Sequence, residues 1–524
     1  MNIKHLIGLV DKLYSDKLRL DLLRQEIAEN FYPQRADFTR TRIMGEEFSD
    51  NLSTSYTILI RRELADQIGS MLRPETKQWF KAGIKFSDKV DNESKRFLEF
   101  TEKTQRKIMY DPVAMLAQVA KQADNDFAAF GEAVLSVRLN KNRDALLYRS
   151  WHLRDVVWSE NEEGQHAIVA RKWKPTNRDL VTIFGDKVSA RVSDRVDKHP
   201  FERVDCLHIE VESNIYDIKS GKMQFVSIYY DRQNSHLIEE TATRRREYII
   251  PQWEKPCDSQ YAYSPSTITA LADARMIQAM TYTLLEAGEK STNPPLIATK
   301  GAVSGDIAIY AGGISWLNEE YDERLGSALR PIPQDYSGIP NGMEMIRDAR
   351  DLLAQAFYLN KLTLPVNNGD MTAYEVSKRV DEYIRGALPL FAPMEPSYNG
   401  RLCSATFDLL IDNGAFGADI PESLQGREIE FTFESPLHDS IEAQKSQIFI
   451  QSGELIRAAA ELDPGALAVP DTINGLRDAL ASLGAPASWV NSRETVEQKV
   501  KEQQQKIERQ EALDQIEQGV KVVG

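Results

Sequence analysis

The chain has 524 residues, 42% hydrophobic and 27% charged, which is enough for several domains with ordinary globular cores. Mean hydropathy is −0.43, and apolar runs such as YTILI fall far short of the roughly 20 residues needed to cross a bilayer, so no membrane role is expected. A net charge of −15 argues against a tight, sequence-blind DNA binder, because such proteins bring clustered Lys and Arg to the phosphates.

Residues 3–31 place Ile3, Leu6, Ile7, Val10, Leu13, Tyr14, Ile27 and Phe31 at helical spacing, which predicts one amphipathic helix stopped by Pro33. A second helix carries Ile60, Leu64, Ile68, Met71 and Leu72, and a third runs through AMLAQVAKQADNDFAAF to Gly131. From 133 to 250 the texture becomes β-branched and aromatic, in runs such as AVLSVRL, HAIVARKW and QFVSIYYD, which predicts a mixed or antiparallel sheet. VVWSENEEGQHAIVARKW reads as a hairpin around Gly164.

Ser264 as N-cap and Pro265 at the first helical position open a long helix to about Lys290. Residues 292–342 hold seven glycines and five prolines around two strand-like pieces, IAIY and ISWL, and therefore form a compact excursion. Asn341 and Glu344 have capping-box spacing and open a second long helix, to about Asn360. Two struts side by side with a small head at their far end are expected. The stretch VNNGDMTAYEVSKRVDEY then starts another helix. Thr372 is its N-cap, Glu375 stands three residues on, and Met371 and Val376 occupy the two positions of a hydrophobic staple. Pro389, Pro393 and Pro396 break that helix before RLCSATFDLLID, EIEFTF is a strand, and the remainder is helical, ending in a charged helix from Asn491. The fold class is α+β, predominantly helical.

No catalytic constellation emerges. GEKST (288–292) echoes a phosphate loop but has Glu289 between Gly288 and Lys290 and closes a helix, and GAVSG lacks the central serine of a hydrolase elbow. The seven histidines have no ligand spacing, and Cys206, Cys257 and Cys403 are far apart, so neither a metal site nor a disulfide framework is expected. Asp124 and Asp126 of ADNDF could serve a two-metal nuclease, but a solvated helix face is the expected use. The arginines of TRRREY are expected in solvent or at subunit contacts. The N-terminus meets Asp11 and Lys12 before a signal-peptide apolar run builds up, so the chain is expected in the cytoplasm where it is made.

Several stretches in order resemble the head-to-tail connector, or portal, family of short-tailed bacteriophages: IAENFYPQRADF, IGSMLRPETKQWFKAGI, NDFAAFGEAVLSV, SPSTITALADARMIQAM, NPPLIATKGA and MTAYEVSKRVDEY. The likeness runs from about residue 20 to 435. YAYSPS replaces the family's glycine-rich approach to the stem, and the last 80 or so residues match no family signature. The resemblance implies a ring of about twelve copies around a central channel. It implies a wing (1–263), first stem helix (264–291), clip (292–341), second stem helix (342–361), channel loop (362–371), kinked wing helix with return strand (372–435) and helical crown (436–524). In that scheme Val366, Asn367, Asn368, Gly369 and Asp370 face passing DNA, with Met371, Thr372, Glu375 and Val376 anchoring the loop. Lys361 is the candidate channel cation, and Ile307, Tyr310, Ile314 and Trp316 belong to the clip. Implied partners are double-stranded DNA without sequence specificity, the terminase large subunit, tail adaptor and tail tube proteins, and the major capsid and scaffolding proteins. No catalytic residue, cofactor or metal is implied, and the location is the virion's portal vertex, with host cytoplasm during assembly. The competing readings are a nucleic-acid enzyme such as a metal-dependent nuclease, and a generic scaffold or tail component.

Overall fold

The computed structural model describes residues 2–433 apart from 44, 50–51, 76, 86–90, 217–222, 300–301, 306, 308–314, 319–321, 323, 325–326, 334, 336, 363–385, 387–388, 391 and 418–419. Beyond 433 it describes 436–463, 471–482, 489–491, 495–496, 498–499, 501–502 and 505–506. The chain begins with α1 (Ile3–Asp16) and α2 (Leu18–Phe31), not with the one helix expected over 3–31. It divides at Lys17, which is almost wholly buried and whose ammonium donates to the carbonyls of Leu153 (2.7 Å), Arg154 (3.1 Å) and Val156 (3.0 Å). A buried cation needs such acceptors, and reaching three of them fixes the junction.

Next come α3 (Tyr56–Leu72), β1 (Phe80–Ile84), α4 (Asn92–Met109) and α5 (Leu116–Phe130). The expected apolar stripe of α3 is buried through Ile60, Leu64 and Ile68, and it meets Phe127, Phe31 and Trp79 in the main core. α5 stops at Gly131, whose left-handed φ of +74° closes the helix with an N–H bond to the Phe127 carbonyl at 2.8 Å.

The β region holds β2 (Val134–Leu139), β3 (Leu146–Trp151), β4 (Val156–Glu160) and β5 (His166–Trp173). α6 (Asn177–Phe184) and α7 (Ala190–Arg195) follow, then β6 (Cys206–Glu212), β7 (Phe225–Asp231), β8 (His236–Thr243) and β9 (Tyr248–Ile249). Two antiparallel sheets result, ordered β3-β2-β9 and β4-β5-β6-β7-β8. The hairpin around Gly164 is present as β4 and β5. α6 and α7 interrupt the β texture, and α6 begins with a Thr176–Asp179 capping box that the strand pattern masked. α1 lies across the larger sheet, burying Leu6, Val10 and Tyr14 against Val157, Leu207 and Ile228.

α8 (Pro265–Thr292) leaves this body, and Ser264 caps it as expected. Among the described residues four short strands follow: β10 (Leu296–Ala298), β11 (Val303–Ser304), β12 (Trp316–Leu317) and β13 (Leu329–Pro331). They pair antiparallel as β10 with β13 and β11 with β12. α9 (Gly338–Ala356) returns. It starts after Ser337, so Asn341 and Glu344 are inside the helix and form no capping box there. Pro340 is tolerated because an N–H in the first turn has no intrahelical partner in any case. Tyr358, at φ +57°, ends the run, and the separate helix Leu359–Leu362 replaces the rest of the one expected to about 360.

Farther on, a π-helical turn Glu395–Gly400 precedes the helix Arg401–Asp412, which is the physical form of the break expected at the prolines. β14 (Ile429–Phe433) is the expected strand and pairs antiparallel with β1, Phe80 opposite Phe433. Helices Pro436–Leu462 and Thr472–Ser482 follow, and most of the charged helix expected from Asn491 lies outside the described residues. The architecture is mixed α/β, with open antiparallel sheets.

Candidate functional site

The feature that stands apart from the body is the pair α8 and α9. α8 has 28 residues, about 42 Å at 1.5 Å per residue. Its buried positions, Ser266, Thr267, Ala270, Leu271, Ala274 and Ile277, all lie in its first half. Just beyond, Gln278 clamps the body: its Oε1 accepts from the amides of Ser53 (2.8 Å) and Thr54 (3.0 Å), and its Nε2 donates to the Thr54 carbonyl (3.1 Å). The chain then doubles back through antiparallel β10 and β13, so α9 runs antiparallel to α8. The two helices approach closely at Gly342, where a side chain would come within 2.8 Å of the Leu284 Cδ2. Tyr282 and Leu285 of α8 and Met343 and Met345 of α9 are each more than half exposed. The pair therefore projects with apolar surface that stands exposed on both helices.

The root of α8 is built from polar groups. Ser264 Oγ donates to the Ala128 carbonyl at 2.7 Å and Thr267 Oγ1 to that of Ala129 at 2.8 Å, tying the new helix to the end of α5. Gly131 follows at once, and a Cβ there would stand 2.0 Å from the Tyr263 carbonyl carbon, so only glycine admits this crossing. Glu132 is fully buried, pairs with Arg24, and accepts from Gln252 Nε2 (3.3 Å) and the Ala262 amide. Burial pushes its carboxyl up to about 7, against the pull of Arg24. Sequence reading passed over Gln278, Arg24 and Glu132. A cue was present, since Asp21, Arg24 and Gln25 sit on the buried side of α2, where an amphipathic pattern wants apolar residues.

ADNDF is not a solvated helix face. Asp124 and Asp126 are both buried, Asp124 paired with Arg73, and Asp126 with Arg35 at 2.8 Å. Arg73 also donates to Asn399 Oδ1 at 2.9 Å, so it bridges α5, through the Asp124 ion pair, to the π-helical turn. Two residues apart on a helix, the two carboxylates point to different sides of α5, and each is buried against its own arginine. The TRRREY arginines make contacts within the chain: Arg245 pairs with Asp412, and Arg246 with Glu212 at 3.1 Å. Among the described residues no three His, Cys, Asp or Glu side chains are grouped as a metal would need, and no helix is long and apolar enough to cross a membrane. GEKST is the last turn of α8, as expected.

Of the clip residues, Trp316 lies in β12, strongly exposed and opposite Ser304, and Ile307 is half-buried, whereas Tyr310 and Ile314 fall outside the described residues. Lys361 belongs to the short helix Leu359–Leu362. Val366, Asn367, Asn368, Gly369, Asp370, Met371, Thr372, Glu375 and Val376 all lie outside the described residues.

The fold thus combines a mixed α/β body, a projecting antiparallel helix pair and a β head with exposed strands. The family model described as "Bacteriophage head to tail connecting protein" matches residues 4–490, and the chain belongs to that family of phage virion connectors. It is 23% identical over 425 residues to the probable portal protein of Bordetella phage BPP-1, covering 79% of this chain and 75% of that one. It is 19% identical over 401 residues to the portal protein of Salmonella phage epsilon15, covering 74% and 70%. Among solved structures, a chain from the virion of a native gene transfer agent particle aligns over 82% of this chain and 94% of that one, with a TM-score of 0.36 and 11% identity, a likeness too loose to carry an argument.

Proposed function

We propose that this connector is a portal subunit, and that about twelve copies close into a ring whose central channel passes duplex DNA during packaging and ejection. The observation that carries the reading is the projecting α8/α9 pair with the β10–β13 head. α8 and α9 act as the stem, the strands between them as the clip, residues 1–263 as the wing and 436–524 as the crown. The exposed apolar residues on α8 and α9 are then covered by neighbouring copies. In the clip, Trp316, Leu317, Leu296 and Ile297 are exposed on short strands, whose free edges suit pairing with a neighbouring subunit, a tail adaptor or the terminase. Residues 362–371 form the channel loop, with Asn367, Asn368 and Asp370 offering uncharged or repelling contacts and Lys361 a ring of cations that damps DNA movement.

At −15 per chain, about twelve copies put roughly −180 on the ring, which keeps the phosphate backbone from sticking to narrow walls, where screening over about 8 Å is incomplete. Negative-stain images of the purified chain test the reading: rings with a central hole are expected, and a monomer that cleaves DNA with magnesium overturns it. Deletion of residues 300–330 is expected to abolish tail attachment. Replacing Lys361 is expected to alter DNA retention or packaging with ring assembly intact.

A further inference from the structure

A cleft of about 790 Å³ opens between the end of β2, the turn after β8 and the helix Arg401–Asp412. Four arginines line it: Arg138, Arg143, Arg244 and Arg245. Its acidic groups are Glu210, Glu247 and Asp412, and they are largely engaged. Asp412 pairs with Arg245. Glu210 accepts the Glu247 amide at 2.7 Å, and burial pushes its carboxyl up to about 8, which leaves it neutral near pH 7. Glu247 faces Arg138, Arg171 and Arg245, and Asp408 lies in the field of Arg244 and Arg245. Arg143 and Arg244 stand exposed at the mouth, and Arg138 is half-buried beneath them. The cleft therefore presents guanidinium groups to whatever enters it.

Its wall is also an unfinished sheet edge. β2 pairs with β3 over Val134–Leu139, but with β9 only at Leu135 and Ser136, after which the Val137 amide bonds the Glu247 carbonyl at 3.3 Å. Strand alternation puts the Leu139 N–H and C=O on that same side, past the end of β9. We propose that the cleft receives an extended acidic peptide from a partner protein, its backbone lengthening the β2 edge at Leu139 and its carboxylates meeting Arg138, Arg143 and Arg244. Main-chain bonds supply affinity in such strand addition, and side-chain contacts supply selectivity. Duplex DNA fits worse, because Glu247 and Asp412 lie in the wall and a concave cleft of this size cannot follow a stiff rod.

Fluorescence anisotropy with the full-length protein tests this, using a labelled peptide of about ten residues that alternates Asp and Val, so that one face carries the charge. Its Lys-for-Asp counterpart and a short DNA duplex serve as competing probes. The Asp peptide is expected to bind with an affinity that falls as salt rises, and Arg143→Glu and Arg244→Glu, both at exposed positions, each to weaken it about tenfold at unchanged melting temperature. N-methylation of alternate peptide amides is expected to weaken binding in one register only. Absence of binding, equal affinity for the Lys peptide, preference for the duplex, or indifference to both arginine substitutions or to N-methylation overturns the proposal.

Discussion

Arg24 and Glu132 form an ion pair beneath the point where α8 leaves the body, with both side chains almost fully shielded from water. One belongs to α2 and the other follows the last residue of α5's cap, so a single contact ties three segments distant in sequence to the α8 root. Removing one partner leaves an uncompensated buried charge. Glu132→Ala is expected to lower stability by about 3–5 kcal/mol in denaturant unfolding, whereas replacing both residues by apolar ones of similar volume costs much less. Equal losses for the single and the double variant would contradict the pairing.

Asp124→Ala is expected to destabilise by a similar amount, on the order of 3–5 kcal/mol, since it strands Arg73. A chelator added to the unmodified protein is expected to leave its melting temperature where it was. A marked fall on chelation would instead make Asp124 and Asp126 metal ligands, the less favoured reading of ADNDF.

Two glycines with nearly the same φ separate steric from conformational cost. Gly131 (φ +74°) meets the Tyr263 backbone where a Cβ would stand, and Gly164 (φ +71°) faces open space. Gly164→Ala is expected to cost about 1 kcal/mol for the left-handed backbone alone. Gly131→Ala adds a clash with backbone and should exceed about 3 kcal/mol, or give no soluble protein. Thermal melts of the pair give the comparison.

Glu210 links stability to pH. Its folded carboxyl is raised from an ordinary 4.5 to about 8, chiefly by burial, with Glu247 pushing the same way and Arg246 and the Glu247 amide opposing. Between those values the native chain holds a proton that the unfolded chain has released. Rising pH therefore favours unfolding across about 4.5 to 8, by at most a few kcal/mol for this group. Glu210→Gln is expected to flatten that part of the stability profile and to be the more stable form above pH 8. An unchanged slope would mean the group ionises normally.

Trp316→Ala is expected to leave the melting temperature within about 1 °C, because an exposed side chain away from special geometry contributes little to folding. It should weaken tail attachment in the proposed clip. Normal particles with full tails from the variant would remove Trp316 from any docking surface.

Much of the architecture was readable from periodicity. α3, α5, the β4–β5 hairpin, the Ser264–Pro265 start of α8 and β14 all stand where apolar spacing and cap residues place them. The misses share a physical origin. The α1–α2 break depends on carbonyls of residues 153–156 reaching Lys17, and α9 starts at Gly338, upstream of the capping-box spacing at Asn341, with nothing in the local pattern to mark it. Asp124 and Asp126 looked solvated because their arginine partners lie about 50 and 90 residues away, beyond any local pattern. Of the site residues, Trp316 and Ile307 were found in or beside the β head, whereas the loop from Val366 to Asp370 rests on resemblance alone.

The clamp at Gln278 has a mechanical meaning. Past it, fourteen residues of α8, about 21 Å, run on to the β head with α9 packed alongside at Gly342. The pair is a lever with its fulcrum at the Gln278 contacts to residues 53–54. A tilt of about five degrees there displaces the base of the head by about 2 Å over that length. Any tilt at residues 53–54, far from the head in sequence, would reach Trp316 and its neighbours enlarged by that length.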